Sequence, residues 1–482
     1  MGRLQQRTIS GVVWASIQRF GSMAITLVTN VILARLLSPN EFGCIGMLMI
    51  FISISNTFID GGLGSALIQK KSPTDEDYST VFYWNIALSI FLYVVLYTSA
   101  NHIATFYRTP LLKEVLRWQG IVLLFNALNV IQLNQLRKQL QFKKLALVEI
   151  SSACLSLFIA IIFALRGYGV WSLVIQQISI SIIKTFLLWF VSSWRPILAF
   201  STKSFKDLFK FGSFILLSNL FSTFSNEIQG LLVGRMCTSA SLGLYNQAFR
   251  LEGSIATAVS GIIDQVTYPV MSSIQDQRER LIFLLKKFVQ IPAYICAPIM
   301  GLLIVIAKPI ILFIYGVNWL DCVPYFQILC SAGLAVCLQG SANNSIAAVG
   351  KSKMFFKWTI IKRSITILLC VLGILIGGMY GLLWACSIGA WSVYFINAYL
   401  VDRCIGYRVF NQVMDILPFV CLTIAVSIIS WYIGRVMPFG IIINTFMQII
   451  LHFSLYFACS SFLKYDAFIF IKNILLVKLC RK

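Results

Sequence analysis

Charged residues are scarce in this sequence: Asp, Glu, Lys and Arg make up 12% of its 482 residues, about half the share found in ordinary soluble proteins. Hydrophobic residues account for 59%. This composition excludes a typical water-soluble protein, because too few polar side chains are available to cover its surface. It is typical of a chain that crosses a membrane many times.

Histidine is almost absent, and the cysteines are not paired in sequence. His102 and His452 lie far apart, and none of the 13 cysteines forms a Cys-x-x-Cys pattern. A metal site of Cys and His ligands and a disulfide framework are therefore not expected. We interpret the thiols as small apolar packing residues, and we expect neither a metal nor another cofactor.

Long apolar runs are what the sequence has instead. Fourteen segments approach the length of about 20 residues that a membrane-spanning helix needs. They lie at 11–33, 43–66, 79–103, 115–134, 145–165, 169–191, 209–233, 243–269, 286–306, 323–348, 358–377, 380–401, 414–434 and 440–463. Continuous apolar runs of this length predict helices rather than barrel strands, so the predicted class is all-α and polytopic. No cleavage-site pattern follows the first segment, so it is expected to stay as a helix.

Acidic residues are few, and the formal net charge is +22. If the N-terminus is cytoplasmic and the spans alternate, 28 of the 39 Lys and Arg residues fall on the cytoplasmic side and nine on the other. The positive-inside rule therefore predicts that both termini are cytoplasmic. Topology and anionic lipid headgroups account for the basic charge, and no nucleic-acid partner is needed.

An internal repeat is indicated at an offset of 200 residues. "LARLLSPNEFG" at 33–43 aligns with "VGRMCTSASLG" at 233–243, and the same offset maps spans 1 and 2 onto spans 7 and 8. A six-helix duplication predicts an N-lobe at 1–200 and a C-lobe at 201–405 around a central cavity. Residues 406–482 then form two further helices and a basic tail. Transporters with such repeats bind their substrate between the halves.

Polar stripes run along four of the predicted spans at helical spacing. A charge near the bilayer centre costs about 2.5–3.5 kcal/mol on insertion scales, so we expect these stripes to face a wet cavity. The residues are Ser16, Arg19, Ser22, Thr26 and Asn30 in span 1; Ser53, Asn56 and Asp60 in span 2; Ser218, Asn219, Ser222, Ser225, Asn226, Glu227 and Gln229 in span 7; and Arg250, Ser254, Thr257, Gly261 and Asp264 in span 8.

Simpler roles compete with binding at each of these positions. Neutral Ser, Thr and Asn side chains often only join neighbouring membrane helices. Arg19 lies too deep in its span to reach the interface easily, whereas Arg250 and Glu252 lie nearer a span end, where an interfacial role is equally open. Glu227 and Asp264 have the alternative of neutralising a nearby cation. Lys184 is interpreted as a lysine that extends to the membrane surface.

The segment "FIDGGLGSALIQKK" ends span 2 with Asp60 and with glycines at 61, 62 and 64. Glycines at this position predict a kink, or a close approach of a neighbouring helix. Two interpretations stay open for Gly61 and Gly62: a hinge of a gate, and a structural turn. Asp60 is expected to cap the kink, pair with a basic residue or take part in ion coupling.

Several motifs resemble the polysaccharide transporter family of Wzx-type flippases. They are "LARLLSPNEFG", "FIDGGLGSALIQKK", "YSTVFYWNI", "LRKQLQFKKLALVEI" and "GLYNQAFRLEGSI". The resemblance implies a protein of the bacterial inner membrane that moves undecaprenyl-diphosphate-linked oligosaccharides outward for surface polysaccharide synthesis, with a polysaccharide polymerase and a chain-length protein as further partners. It also implies that Arg19 and Arg250 bind the diphosphate. The amides of Asn30, Asn219, Asn226 and Gln229 are assigned to the sugars.

Two other classes of function remain as alternatives. A cation-coupled multidrug antiporter shares the fold that the resemblance implies, and Asp60, Glu227 and Asp264 are compatible with cationic substrates, whereas Arg19 is not. A membrane enzyme such as a polymerase or ligase is expected to carry a large extramembrane loop with catalytic residues. No segment between spans exceeds about twenty residues, so no enzymatic activity is expected.

Overall fold

The computed structural model of the chain describes residues 2–273, 277–348, 352–437 and 440–469. Within these ranges, the structure describes only the backbone of 2–12, 258–266, 268–270, 272–273, 347–348, 352–353 and 355–356. The side chain of Asp264, a predicted coupling residue, therefore lies outside the described part.

Helices account for nearly all of the described residues, in which no β-strand occurs. The helices are α1 Gly2–Leu36, α2 Pro39–Asp60, α3 Leu63–Gln69, α4 Asp75–Phe106, α5 Leu111–Gln119, α6 Ile121–Lys138, α7 Phe142–Leu165, α8 Val170–Val191, α9 Thr202–Met236, α10 Ser239–Ser273, α11 Arg278–Val305, α12 Ala307–Ile314, α13 Cys322–Ala348, α14 Ser352–Ile405, α15 Val409–Val436 and α16 Ile441–Phe462.

The predicted all-α polytopic class is confirmed. Twelve helical stretches of the described chain are long and apolar enough to cross a membrane. One of them, 357–405, bends at Gly377 and Gly378, whose backbone is not helical, so it covers the two predicted spans at 358–377 and 380–401. Helix α10 covers the predicted span 243–269. Each of the fourteen predicted spans thus corresponds to helical structure.

Local sequence signals explain where the second span begins and where it breaks. Helix α2 starts at Pro39 behind Ser38, whose backbone N–H donates to the Glu41 carboxylate at 2.6 Å; this pairing satisfies a donor that the first helical turn leaves free. The helix ends at Gly61 and Gly62, which have φ values of +53° and +66°. Glycine adopts this left-handed region without the steric cost of a Cβ atom, and α3 begins directly afterwards.

The chain divides into two compact units, residues 1–243 and 244–482. In the first unit, α1 packs against α7, α2 against α9, and α6 against both α4 and α8. In the second unit, α11 packs against α13 and α15, α13 against α14, and α15 against α16. The predicted lobe boundary at residue 200 rests on the sequence repeat and stays a prediction.

Two glycines that the repeat relates make reciprocal backbone contacts within the first unit. A Cβ atom on Gly43 would lie 1.7 Å from the carbonyl oxygen of Ser239, and one on Gly243 would lie 1.9 Å from that of Pro39. Residues 39 and 43 therefore contact 239 and 243 in the crosswise manner that a twofold relation produces. Only glycine permits this approach of the two backbones.

The second unit contains a cysteine pair that the sequence did not indicate. Cys296 of α11 and Cys337 of α13 form a disulfide in the structure. His452 of α16 is buried and contacts the carbonyl oxygen of Pro298 of α11 through Nε2 at 3.0 Å. Both contacts join neighbouring helices of this unit, so these residues have a packing role.

A buried carboxylate at the start of α4 holds the segments before and after it. Asp77 is 3% exposed and accepts a hydrogen bond from the Lys70 ammonium at 2.6 Å and one from the Thr74 backbone N–H at 2.8 Å. It also accepts the hydroxyl proton of Ser204, on the first turn of α9. One side chain therefore connects the residue after α3, the N-terminus of α4 and α9.

Replacing Asp77 by asparagine should destabilise the first unit. The amide cannot accept these hydrogen bonds with a full charge, and bonds to charged groups are worth about 1.5–3 kcal/mol each. The side chain of Lys70 is 41% exposed, so its ion pair with Asp77 contributes little to stability. We expect the free energy of unfolding to fall by about 3 kcal/mol. Thermal unfolding in detergent measures the change. The matched control is Asp75→Asn, an exposed acid of the same helical turn, which should unfold close to the wild-type temperature.

Candidate functional site

A polar cavity lies among the helices of the first unit and has a volume of about 390 Å³. Helices α2, α3, α6, α8 and α9 surround it. Its lining residues are Asn56, Ile59, Asp60, Gly62, Gly64, Ser65, Asn126, Asn129, Val130, Leu133, Asn134, Arg137, Lys184 and Asn219. Since these helices are long apolar spans, a cavity lined mostly by amides and charges is a candidate binding site.

Two cations and one carboxylate carry the charge of the lining. Asp60 ends α2, Arg137 lies in the last turn of α6 and Lys184 lies on α8. Both cations attract the Asp60 carboxylate, but neither approaches within ion-pair distance of it among the described contacts. No hydrogen bond or ion pair of the described residues involves the Arg137 guanidinium. Its donors are therefore available to a ligand.

Lys184 is held in place by a neighbouring helix. Its ammonium lies 3.5 Å from Oε1 of Glu149 on α7, and the other carboxylate oxygen of Glu149 accepts a hydrogen bond from Gln18 of α1 at 2.8 Å. This pairing places the Lys184 ammonium at the cavity; its interpretation as a lysine extending to the membrane surface stays a prediction. The same network connects α1 to α7 and α8.

The amides of α6 form one wall of the cavity and are held by hydrogen bonds. Asn126 donates to the side-chain oxygen of Asn56 at 2.9 Å and accepts from the Ser181 hydroxyl at 3.2 Å. Asn129 donates to the Thr185 hydroxyl at 3.3 Å. These contacts fix the orientation of the wall.

Sequence reasoning missed this wall. It selected spans 1, 2, 7 and 8 for their polar stripes, whereas span 4 contributes Asn126, Asn129, Asn134 and Arg137. The signal that identifies them is their spacing, since steps of 3, 5 and 3 residues keep side chains near one face of a helix. Three residues of the predicted polar stripes, Asn56, Asp60 and Asn219, do line the cavity, and so does Gly62.

The arrangement suits a hydroxyl-rich ligand with an anionic group. Asparagine amides offer both donors and acceptors, which matches the alternating demands of sugar hydroxyls. A guanidinium donates a planar fork of hydrogen bonds to phosphate or carboxylate oxygens. The volume falls in the range of about 300–1,000 Å³ of small-molecule sites, enough for a small ligand or for one portion of a larger one.

The comparison with protein families decides the family of this chain. A family model described as polysaccharide biosynthesis protein matches residues 32–324, more than half of the chain. The chain belongs to this family. All of the lining residues named above fall within the matched region.

Similar proteins with curated names come from several bacteria. The chain is 22% identical to the lipopolysaccharide biosynthesis protein WzxC of Escherichia coli (strain K12), over 90% of this chain and 89% of that protein. It is 26% identical to the teichuronic acid biosynthesis protein TuaB of Bacillus subtilis (strain 168), over 74% of each.

Solved structures show the same fold at low sequence identity. A lipid II flippase, MurJ, in an inward closed conformation matches with a TM-score of 0.71 at 18% identity, covering 96% of this chain and all of that one. An inward-facing transporter of the multidrug resistance MATE family matches with a TM-score of 0.61 at 14% identity, covering 84% and 98%. This family member therefore has the fold shared by these transporters.

The other predicted site residues whose side chains the structure describes are not among the cavity-lining residues. Glu227 of α9 is half-buried and accepts a hydrogen bond from the Ser53 hydroxyl of α2 at 3.2 Å. Arg19 is exposed on α1, and Arg250 is exposed on α10. Three predicted amides lie on α1 and α9, and each has a partner: Asn30 and Gln229 are half-buried, and Asn226 is exposed. Gly61 is the left-handed residue next to Gly62.

Proposed function

We propose that this protein is a flippase that moves undecaprenyl-diphosphate-linked oligosaccharide units across the bacterial inner membrane for surface polysaccharide synthesis. Membership of the polysaccharide biosynthesis family and the transporter fold support a transport role. The observation that carries the proposal is the cavity, which offers amides and the guanidinium of Arg137 among apolar helices.

The cavity meets the main physical difficulty of flipping. Sugars and phosphates must leave water and cross a hydrocarbon layer, in which each unsatisfied polar group costs several kcal/mol. Amide groups replace the lost water hydrogen bonds of sugar hydroxyls, and Arg137 and Lys184 compensate an anionic charge. A protein that supplies these groups lowers the barrier without any covalent step, so the proposal includes no enzymatic activity.

The predicted orientation favours outward movement. With both termini in the cytoplasm, as the distribution of Lys and Arg predicts, an anionic headgroup moves toward the positive side of the membrane. The membrane potential contributes about 2.3 kcal/mol per charge per 100 mV to this movement. The proposal therefore requires no nucleotide and no other cofactor.

Particular residues are assigned within this proposal. Arg19 and Arg250 bind the diphosphate, and Asn30, Asn219, Asn226 and Gln229 bind the sugars. Asp60, Glu227 and Asp264 serve in coupling, and Gly61 and Gly62 in gating. A polysaccharide polymerase and a chain-length protein act on the exported unit as further partners.

The charge of the cavity argues against a multidrug antiporter. An organic cation would meet the guanidinium of Arg137, which has no ion-pair partner among the described residues, and like charges in a site of low dielectric repel strongly. The structural likeness to MATE transporters concerns the fold and carries no substrate information.

Transport in proteoliposomes tests the proposal directly. Wild-type protein should move a fluorescent undecaprenyl-diphosphate oligosaccharide between leaflets, and Arg19→Ala should reduce the rate at least about tenfold, since a hydrogen bond to a charged group is worth about 1.5–3 kcal/mol. The measurement is the fraction of label that an impermeant quencher reaches over time.

The matched control is Arg166→Ala, which removes an exposed arginine between α7 and α8 and should keep the wild-type rate. A wild-type protein that ignores this lipid but exports an organic cation against a proton gradient would overturn the flippase proposal in favour of the antiporter. An Arg19→Ala protein with the wild-type rate would remove only the assignment of Arg19.

A further inference from the structure

Glu252 is a buried acid that the proposed transport site does not use. It lies on α10 and is 5% exposed, and its Oε1 atom is fully buried without a hydrogen-bond partner among the described residues. None of the ion pairs in the described part of the chain includes it.

The carboxyl group packs over the backbone of a neighbouring helix. A Cβ atom on Gly333 of α13 would lie 2.9 Å from Oε1 of Glu252 and 2.6 Å from the sulfur of Met300 of α11. The side chains of Glu252 and Met300 therefore occupy the space that a side chain at position 333 would fill. Neither Gly333 nor Met300 offers a strong hydrogen-bond donor to a carboxylate, and no described residue donates to Oε1 of Glu252.

The titratable groups near Glu252 do not supply a counter-charge. Cys330 of α13 faces it, and Tyr245 lies two turns earlier on α10, with Cys386 of α14 beyond the tyrosine. Along the chain the nearest cation is Arg250. Two residues correspond to about 200° around an α-helix, so Arg250 and Glu252 lie on opposite faces of α10, and Arg250 is exposed.

Such a position favours the protonated form of a carboxyl group. Burial without a hydrogen bond or a counter-ion strongly disfavours the ionised form, and the group becomes neutral instead. A neutral acid still costs more to bury than an apolar side chain of similar size. Ionisable residues inside membrane helices are expensive and generally functional.

We propose that Glu252 is a proton-binding site that couples proton movement to substrate movement. The coupling part of this inference rests on the proposed function, whereas the protonation of Glu252 does not. With α10 packed on Gly333, the carboxyl group holds a proton. When α10 turns the group toward water, the proton passes to water, and a proton from the opposite side must bind before the helix can pack again.

Infrared spectroscopy of the purified protein tests the protonation without any transport assay. Wild-type protein in lipid should show the C=O stretching band of a protonated carboxylic acid at neutral pH, and Glu252→Gln should lack it. The isosteric amide replaces a neutral group by another neutral group, so the variant should fold normally. Identical spectra for the two proteins would overturn the proposal.

A pH gradient tests the coupling. One pH unit is worth about 1.4 kcal/mol per proton, so a gradient of one unit should shift the leaflet distribution of the fluorescent lipid about tenfold in wild type. In Glu252→Gln the same gradient should shift it less than twofold. The control is Glu279→Gln, an exposed acid at the start of α11, which should respond as wild type does.

The outcomes separate the two proposals. A gradient response that persists in Glu252→Gln contradicts the coupling role even if the infrared band is present. A wild-type protein that moves no lipid contradicts the proposed function, and the infrared result then decides alone whether Glu252 is the proton-binding site.

Discussion

Replacing Arg137 by glutamine is expected to lower the rate of lipid-linked oligosaccharide transport about 10- to 100-fold. A charge-assisted hydrogen bond is worth about 1.5–3 kcal/mol, and each 1.4 kcal/mol is a factor of ten. The guanidinium lines the cavity and makes no hydrogen bond or ion pair with the described residues, so its removal takes a binding group away without leaving a protein partner unsatisfied. The protein should therefore remain folded.

Two further variants make this experiment specific. Arg137→Lys keeps the charge but loses the planar fork, and it should fall between wild type and Arg137→Gln, because a lysine binds an anion as a point charge. Lys144→Gln removes an exposed cation in the first turn of α7 and should transport at the wild-type rate. A wild-type rate for Arg137→Gln would show that the cavity lies outside the route of the substrate.

The architecture could be predicted from sequence because the lipid environment imposes a simple rule. Every backbone group in hydrocarbon must be paired within its own segment, so apolar length alone identifies a helix. The break at Gly61 and Gly62 was also predictable, since two adjacent glycines in an apolar run rarely serve another purpose than a turn or a close contact.

The cavity was only partly predictable, and Arg137 shows why. The predicted fourth span ended at residue 134, which assigned Arg137 to a loop and its charge to membrane topology. Helix α6 continues to Lys138, which puts Arg137 on the helical face that carries the asparagines. An error of four residues at a helix end thus hid a cavity residue, and ends are where apolar content gives the weakest signal.

The packing partners of Lys184 and Glu252 could not be predicted from sequence for a different reason. Sequence position gives the depth of a residue along its span but not the helix that packs against it. Glu149 is 35 residues from Lys184, and Gly333 is separated from Glu252 by a larger stretch of chain. Tertiary packing decides in such cases whether a charge reaches the membrane surface, binds a partner or stays buried.

Replacing Gly62 by alanine is expected to destabilise the first unit by about 4 kcal/mol or more, at the upper end of single-residue effects. Alanine in the left-handed region costs about 1–2 kcal/mol. In addition, its Cβ atom would lie 2.2 Å from the carbonyl oxygen of Gly212 on α9. Because that atom belongs to the backbone of a helix, α3 and α9 would have to separate.

Gly167→Ala is the matched control for the Gly62 variant. Gly167 has a φ of +78°, and a Cβ atom there would meet nothing within 4 Å, so its alanine variant carries the conformational cost without the clash. The difference between the two unfolding temperatures in detergent measures the contact between Gly62 and Gly212. Equal temperatures would mean that this contact contributes nothing to stability. If Gly62→Ala folds and transports at the wild-type rate, Gly62 is not a hinge of the gate.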